Sequence, residues 1–457
     1  ANGVRLNDAS YLYKDQSGGN RQIWTMSCWV KLTGAYGSTG GTWLSVNGTD
    51  DDTNFHFGID NGGASGGETD SIFCHIYGAD AFRTTPLLRD YSSWYHIVLA
   101  VDTTQGTSSN RMKLYVNGVQ QTLSEQADYP SQGANFGVNE SGARLAVGTH
   151  SGSVAGYGLN SYICEYVLID GQQLAPTSFG EFDEDSAIWK PIDVSGLTFG
   201  TKGFYLDFED SSALGNDVSG NNLDYTANNL AAIDQTTDTC TNNFCTINPL
   251  WRANQTLTFS EGNTKGVGAS AHRPNNSTFA PSAGKWYMEG KLISGSSNKW
   301  WIGYADQQWI DSNQNLASGT NMDWGGGNIA GGTNQRNVSV NNGWSNQLNL
   351  YPNSAITSFF SSSSVANDII AMAVDLDNQK AWWSQNGVWR NGSATASTTF
   401  NASYPDTTQL DAGRNYYIAT GSENSTWLVN YGNPAYAITS SNADGNGYGN
   451  FEYEVPS

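Results

Sequence analysis

Asp368 to Trp389 reads DIIAMAVDLDNQKAWWSQNGVW. From Ile369 to Leu376 the run is apolar except for Asp375, and aromatic residues return between Lys380 and Trp383 after Asp377-Asn378-Gln379. Two short apolar runs split by polar turn-formers specify two strands joined by a tight turn. Asn386-Gly387 then supplies residues that tolerate positive φ where the second strand must bend away. A looser version occurs earlier: Tyr95 to Asp102 (YHIVLAVD), a polar loop, Lys113 to Val116 (KLYV), and Asn117-Gly118. The expectation is an all-β chain of two antiparallel β-sandwiches, each built around one of these hairpins.

The totals agree with that expectation. At 457 residues the chain is too long for a single core. With 52 Gly, 16 Trp, 23 Tyr and only 14% charged residues it has the composition of turn-rich β structure. No apolar run is long enough for a membrane-spanning helix, and no basic-then-apolar start resembles a leader. The chain opens on Ala1 without Met, as a processed product would, so silence about a leader weighs little. A formal net charge of −21 argues against nucleic acid and anionic membranes as partners, because phosphate binding needs clustered Lys and Arg. Solubility explains the charge without an acidic-ligand story.

Five cysteines form an odd, sparse set, unlike a disulfide framework. Cys28 and Cys164 sit in apolar strand patterns, where a small buried thiol is the default. Cys240 and Cys245 have no His or further Cys nearby, which argues against zinc and leaves a disulfide across that turn open.

Residues 1–175 read as one domain. Ile23 to Leu32 (IWTMSCWVKL) alternates Trp24, Met26, Cys28 and Val30 against Thr25, Ser27, Trp29 and Lys31, the pattern of a half-buried strand. Thr42 to Val46, Asn54 to Ile59, Ser71 to Tyr77, Trp94 to Asp102, Lys113 to Val116, Leu145 to Gly148 and Tyr162 to Ile169 complete a sandwich. The succession WTMSCWVKL, WYHIVLAVD, MKLYVNGV, LAVGTH and YICEYVLIDG resembles the concanavalin-like, laminin G-like jelly roll. That resemblance implies the fold and leaves function open, since the fold hosts lectins, adhesins, glucanases and plain spacers.

Residues 176–250 differ in texture and read as a loop-rich β connector with one good strand, Gly203 to Phe208. GFYLDFEDSSALGNDVSGNN and DTCTNNFCTINPL look like the connecting segments of tailed-phage virion proteins, especially fibres of marine phages. Residues 251–457 carry KWYMEGKL, KWWIGY, the Asp368–Trp389 hairpin, YYIAT and TWLVNY as strands. A Trp-Tyr-x-Glu strand, an Ile-Gly strand and a Val-Asp-Leu-Asp turn leading to an aromatic strand and Asn-Gly resemble a SPRY domain. The closing FEYEV, Phe451 to Val455, alternates like a further strand of that sandwich and stops abruptly, as an incomplete sequence would. Together the resemblances imply a tail-fibre or head-decoration protein on the virion surface, outside the cell. Its partners would be other virion subunits and host or environmental glycans, with no nucleic acid and no membrane insertion, and with the trimeric state common among such fibres.

Four clusters could carry chemistry. Glu181, Asp183 and Asp185 stand where glucanases of the concanavalin-like fold place Glu-x-Asp-x-Glu on one strand face, and retaining hydrolysis needs two carboxyls about 5 Å apart. The run follows Pro176 in a loop, so a solvated acidic turn fits better, and no enzyme activity is expected. Asp50, Asp51, Asp52 and Asp60 offer hard oxygens to a structural Ca²⁺, and a hydrophilic turn explains them equally. The five histidines are dispersed, none pairs with a Ser or Cys motif, and His96 lies within a strand as a core or edge residue.

Trp309, Trp324, Trp344 and Tyr351 lie in an Asn- and Gly-rich insertion without strand alternation. Sugar rings stack on such aromatics while Asn, Asp and Gln bond the hydroxyls, so this loop has glycan-binding chemistry. The same rings would also plug the end of the sandwich or an interface with another subunit. The expected role is a structural and adhesive protein that binds carbohydrate. A secreted lectin-like adhesin and a polysaccharide hydrolase of concanavalin-like fold are the alternatives.

Overall fold

The computed structural model describes the chain except residues 1, 8, 35, 37–39, 49–53, 63–67, 77–78, 124–128, 152–156, 252–256, 269–272, 308–336, 343–346, 352–353, 357–364, 393–394 and 409. It also leaves undescribed the side chains at 79–80, 273–274, 296–299, 337–342, 347–351, 354–356 and 423. Two compact units result, Ala1–Asn243 and Phe244–Ser457. Of the stretch expected to connect two domains, residues 176–243 thus belong to the first unit.

The strands of the first unit begin with Gly3–Arg5 (β1), Tyr11–Asp15 (β2), Ile23–Leu32 (β3), Gly40–Asn47 (β4), Phe55–Asp60 (β5) and Ser71–Ile76 (β6). Ala79–Leu87 (β7), Trp94–Asp102 (β8), Met112–Val116 (β9), Val119–Gln120 (β10), Arg144–Val147 (β11) and Ser161–Asp170 (β12) follow. Gly180–Phe182 (β13), Trp189–Pro191 (β14), Phe204–Leu206 (β15), Thr226–Asn228 (β16) and Gln235–Thr236 (β17) close the unit.

One sheet runs β10-β9-β8-β3-β12-β1-β17 with β15 paired to β12, and the other runs β16-β2-β11-β4-β5-β6-β7. All of these pairings are antiparallel. The core between the sheets takes Trp24, Met26, Cys28 and Val30 from one face of β3, as the period of two requires. It meets Phe55, Phe57 and Ile59 from β5.

Strand β3 is buried on both faces, not half-buried as its alternation predicted. Later chain supplies the second cover. Thr25 Oγ1 donates to the Gln172 carbonyl at 2.8 Å and accepts from Leu174 N–H at 2.9 Å. Trp29 packs with Trp94, Tyr162 and Trp189. Lys31 Nζ donates to Asp238 Oδ2 and Asn243 Oδ1, both at 2.8 Å, and Trp94 Nε1 donates to Asp238 Oδ1 at 3.0 Å. Side chains of Lys31 and Asp238 are 1% and 0% exposed, so the pair is fully interior. Strands β15, β16 and β17 then extend the sheets.

The second unit contains Thr258–Ser260 (β18), Lys265–Val267 (β19), Arg273–Asn276 (β20), Lys285–Asp306 (β21), Asn337–Asn342 (β22) and Gln347–Tyr351 (β23). Ser354–Ile356 (β24), Ile369–Asp375 (β25), Lys380–Gln385 (β26), Val388–Trp389 (β27) and Tyr416–Asn430 (β28) complete it. KWYMEGKL and KWWIGY, expected as separate strands, are two halves of the 22-residue β21. Likewise YYIAT and TWLVNY are joined in β28. The intervening Gly, Ser and Asn read as turns, yet Ser294 and Gly295 pair with Thr426 and Ser425, and the pairing resumes at Lys299 and Glu423 after a register shift.

The first half of β21 pairs with β25 and the second with β22. These halves face each other: a Cβ on Gly290 would come within 3.0 Å of the side chains of Trp300 and Ile302. A glycine is needed there because the indole of Trp300 occupies the space a side chain would take. Met288, Leu292, Met372, Trp383 and Val429 complete the interior with Trp300, Ile302 and Tyr304.

The two hairpins seen in the sequence are alike down to their hydrogen bonds. Asn117-Gly118 and Asn386-Gly387 all have positive φ and form two-residue turns, closing Val116 on Val119 and Gln385 on Val388. Asn117 Oδ1 accepts from His96 N–H at 2.8 Å, and Asn386 Oδ1 accepts from Ile369 N–H at 2.9 Å. Asp375 Oδ1 accepts from Asn378 N–H at 2.9 Å within the hairpin turn, whereas Asp377 Oδ1 accepts from Gly284 N–H at 2.9 Å, just ahead of β21.

Phe451 to Val455 does not form the predicted strand. Buried Glu289 holds it by accepting from the backbone N–H groups of Glu452 and Tyr453 at 3.0 and 2.8 Å. That carboxylate also accepts from the Tyr287 and Tyr436 hydroxyls, and burial raises its pKa.

Replacing Asp238 by Ala removes the carboxylate that Lys31 faces in the interior and should cost about 3–5 kcal/mol. The readout is the urea midpoint of the first unit's transition. The joint replacement Lys31→Met with Asp238→Leu should recover much of the loss, and a loss equal to or larger than that of the single variant would contradict this account.

Candidate functional site

The period-two geometry that sends Phe55, Phe57 and Ile59 inward sends His56, Gly58 and Asp60 to the outer face of the same sheet. Gly58 sits against the bulge between Thr42 and Leu44, and a Cβ there would lie 2.0 Å from the Gly41 carbonyl oxygen. Next to β5, strand β6 sends Ile72, Cys74 and Ile76 inward, so Phe73 and His75 share the outer face with His56. His150 and Tyr157 pack against His56 on this face.

The result is a nest of rings. His56 lies 4.6 Å from His150, 4.9 Å from Tyr157, 5.0 Å from Phe73 and 6.0 Å from His75, centroid to centroid. His150 and Tyr157 are 4.9 Å apart and only 35° from parallel. His56 Nε2 is hydrogen-bonded to Thr42 Oγ1. At the edge of the face Asp60 and Arg83 form an ion pair, and Asp60 Oδ1 accepts from Gly62 N–H at 2.7 Å. His56, Phe73 and Asp60 are buried, whereas His75, His150, Tyr157 and Arg83 are half-buried and reachable. Chemically, the face offers flat apolar rings bordered by donors and acceptors, the combination that recognises a sugar ring.

Sequence reasoning treated the histidines as dispersed, and they are, along the chain. Sheet register brings His56 and His75 side by side, and His150 joins them from beyond β11.

The residues expected to form sites fall in different places. Asp50, Asp51 and Asp52 lie outside the described residues, as do Trp309, Trp324 and Trp344, and the side chain of Tyr351 is not described. Asp60, a possible Ca²⁺ ligand in the sequence, faces the Arg83 guanidinium. Among the described residues, no three His, Cys, Asp or Glu side chains are arranged to hold a metal ion.

Glu181 sits on β13, which pairs with β14 in a small hairpin, while Asp183 folds into the turn between them. Asp183 accepts from Ser186 N–H at 2.9 Å and from Lys190 Nζ at 3.0 Å, and these bonds hold its pKa below the ordinary range. Glu181 also pairs with Lys190, at 3.4 Å. A glycosidase acid needs a raised pKa and a partner across a substrate groove. These carboxylates instead share one lysine on an exposed turn.

A Ser–His pair does exist, though no motif announced it. Ser27 Oγ is 2.8 Å from His96 Nε2, and Trp189 Nε1 donates to His96 Nδ1 at 2.9 Å. The indole N–H therefore fixes the neutral tautomer with its proton on Nε2. That proton points at Ser27, so Nε2 is no base for it. His96 is also stacked between Trp29 and Trp189 and fully buried, which pushes its pKa down to about 3. The arrangement satisfies buried polar groups and has no access for a substrate.

A cleft of about 400 Å³ opens elsewhere on the first unit, lined by Ser211, Ala213, Gly215, Asn216, Asp224 and Tyr225 among others. It presents backbone and small side chains, and its one aromatic ring, Tyr225, is buried.

Comparison with known proteins bears on the first unit. A family model described as the concanavalin A-like lectin/glucanases superfamily matches residues 4–163. No curated protein matches the sequence. Similar solved structures include the SPRY domain of human HERC1, at 11% identity and TM-score 0.26, covering 40% of this chain and 96% of that one. Another is a candidate carbohydrate-binding protein from Bacteroides ovatus, at 16% identity and TM-score 0.35, covering 50% of this chain and 58% of that one. A third is domain 4 of a GH43 extracellular arabinanase from Geobacillus stearothermophilus, in complex with arabinotriose, at 19% identity and TM-score 0.26, covering 38% and 73% respectively.

Burial holds His56, His96 and His150 below the ordinary histidine value of 6.5. Below that pH the unfolded chain takes up protons that the folded unit refuses, so stability falls as pH drops, by about 1 kcal/mol per pH unit for each such histidine. Asp70 and Glu165 have raised pKa values and act with the opposite sign, starting from their lower ordinary values. Urea midpoints compared between about pH 7.5 and 5.5 should therefore fall further for the parent chain than for His56→Gln. Equal falls would show that His56 protonates as freely in the fold as outside it.

Proposed function

We propose that the chain is a non-catalytic, carbohydrate-binding adhesive protein, and that the outer face of β4 to β6 in the first unit is a sugar-binding surface. The observation that carries this reading is the ring nest of His56, Phe73, His75, His150 and Tyr157 beside Asp60 and Arg83. The description of the matching family, lectins and glucanases, is compatible with it. Stacking on Tyr157 and His150 would supply apolar contact, and Arg83 with His75 would address hydroxyls at the rim. The absence of catalysis is part of the proposal. It is supported by the lowered pKa of Asp183, its shared lysine, and the inaccessible Ser27–His96 pair.

The biological setting proposed is the surface of a tailed-phage particle, as a fibre or head decoration bound to other virion subunits. It is supported by the likeness of GFYLDFEDSSALGNDVSGNN and DTCTNNFCTINPL to the connecting segments of such proteins. Labelling intact particles with antibody against this chain, viewed by electron microscopy, tests the setting directly.

For the binding surface, retention on an array of bacterial and algal glycans should show a positive class, and Tyr157→Ala should weaken that binding at least about tenfold. Release of reducing ends from the bound glycan would overturn the non-catalytic reading. Binding that survives Tyr157→Ala and disappears in Trp324→Ala would move the site to the insertion of the second unit.

A further inference from the structure

Cys164 lies on β12, fully buried, and Cys240 lies half-buried just after β17, 76 residues further along the chain. Their sulfurs are 3.5 Å apart. Both pack in the cluster of Trp29, Trp94, Tyr162 and Trp189. Neighbouring contacts hold the segment carrying Cys240 in position. Thr236 pairs with Gly3, Asp238 accepts from Lys31 and Trp94, and Asn243 Nδ2 donates to the Ser92 carbonyl at 2.7 Å. The two thiols are therefore brought together by contacts on both sides of Cys240. A disulfide requires the sulfurs to close by about a further 1.5 Å, within reach of a side-chain adjustment at a half-buried residue.

We propose that Cys164 and Cys240 are a redox staple that closes to a disulfide in an oxidising environment and fastens residues 236–243 onto the sheet. Cys240 is the sulfur a reagent can reach. As thiolate it attacks a small-molecule disulfide such as oxidised glutathione, forming a mixed disulfide and releasing one glutathione thiolate. The Cys164 thiol then attacks Cys240 Sγ and expels the second glutathione, whose departing thiolate takes the proton that Cys164 loses. One small disulfide is reduced to two thiols, and one protein disulfide is formed. Burial raises the pKa of the Cys164 thiol, so the half-buried Cys240 is the sulfur that reacts first. Cys28 lies in the separate core between the sheets. The pairing differs from the Cys240–Cys245 disulfide that the sequence left open, and it does not depend on what the chain binds.

The test uses the full chain, incubated with oxidised glutathione at about pH 8, then denatured and alkylated. Two of the five thiols should be lost to alkylation, the mass should fall by two hydrogens, and peptide mapping should recover Cys164 linked to Cys240. The first unit's melting temperature should rise by about 5 °C or more and return on reduction, since the bond closes a long loop. Cys240→Ser should give neither the link nor the shift. Five free thiols after oxidation, glutathione retained on Cys240, or a link from Cys240 to Cys245 would each overturn the proposal.

Discussion

A strand covered on both faces must find partners for whatever polar side chains it carries, and β3 imposes that condition on the whole first unit. Its inner face is apolar and needs nothing beyond burial. Its outer face carries Thr25, Ser27 and Lys31, which would be costly to bury alone. Each is answered by a different part of the later chain: Thr25 by Gln172 and Leu174, Ser27 by His96, which Trp189 orients, and Lys31 by Asp238 and Asn243. The segment 176–243 is for this reason part of the unit. The second unit repeats the logic at β25, whose seven residues are all buried. Ala373 meets Trp382 and Trp389 on one side of the sheet while Ile370 and Met372 enter the core on the other.

The proposed sugar-binding face follows from the opposite sheet of the first unit. There the alternation of β5 and β6 delivers His56, Phe73 and His75 to one surface, and His150 and Tyr157 pack against His56. The polar groups at its rim are partly committed among themselves, as the Asp60–Arg83 pair shows. A ligand would exchange hydroxyl contacts for water at half-buried side chains, and it would not have to dismantle a buried charge pair. Weak individual contacts summed over several rings are the expected character of such a surface.

Much of this architecture was legible in the sequence, for local reasons. Period-two alternation located β3, β8 and β25 almost to the residue, and Asn-Gly marked both two-residue turns because left-handed φ falls on those residue types. What escaped were features set by distant partners. The polar face of β3 looks solvent-facing until Asp238 is known to lie opposite. ISGSSNK and GSENS look like turns because Gly, Ser and Asn are poor strand formers, yet the β21–β28 pairing carries across them, with a register shift between Gly295 and Lys299 and Asn424 at positive φ. The ring nest and the Cys164–Cys240 approach join residues dozens of positions apart, with no motif at either end. In the acidic stretch read as a turn, Asp183 caps its own bend, while Glu181 stands on β13.

Strands β21 and β28 each serve both halves of the second sandwich, so they act as common beams between its two layers. Neither layer can be peeled away while the other stays whole, because removing one exposes half of the same paired beams. For a protein proposed to hold on to surfaces, such a frame ties the fate of one layer to that of the other.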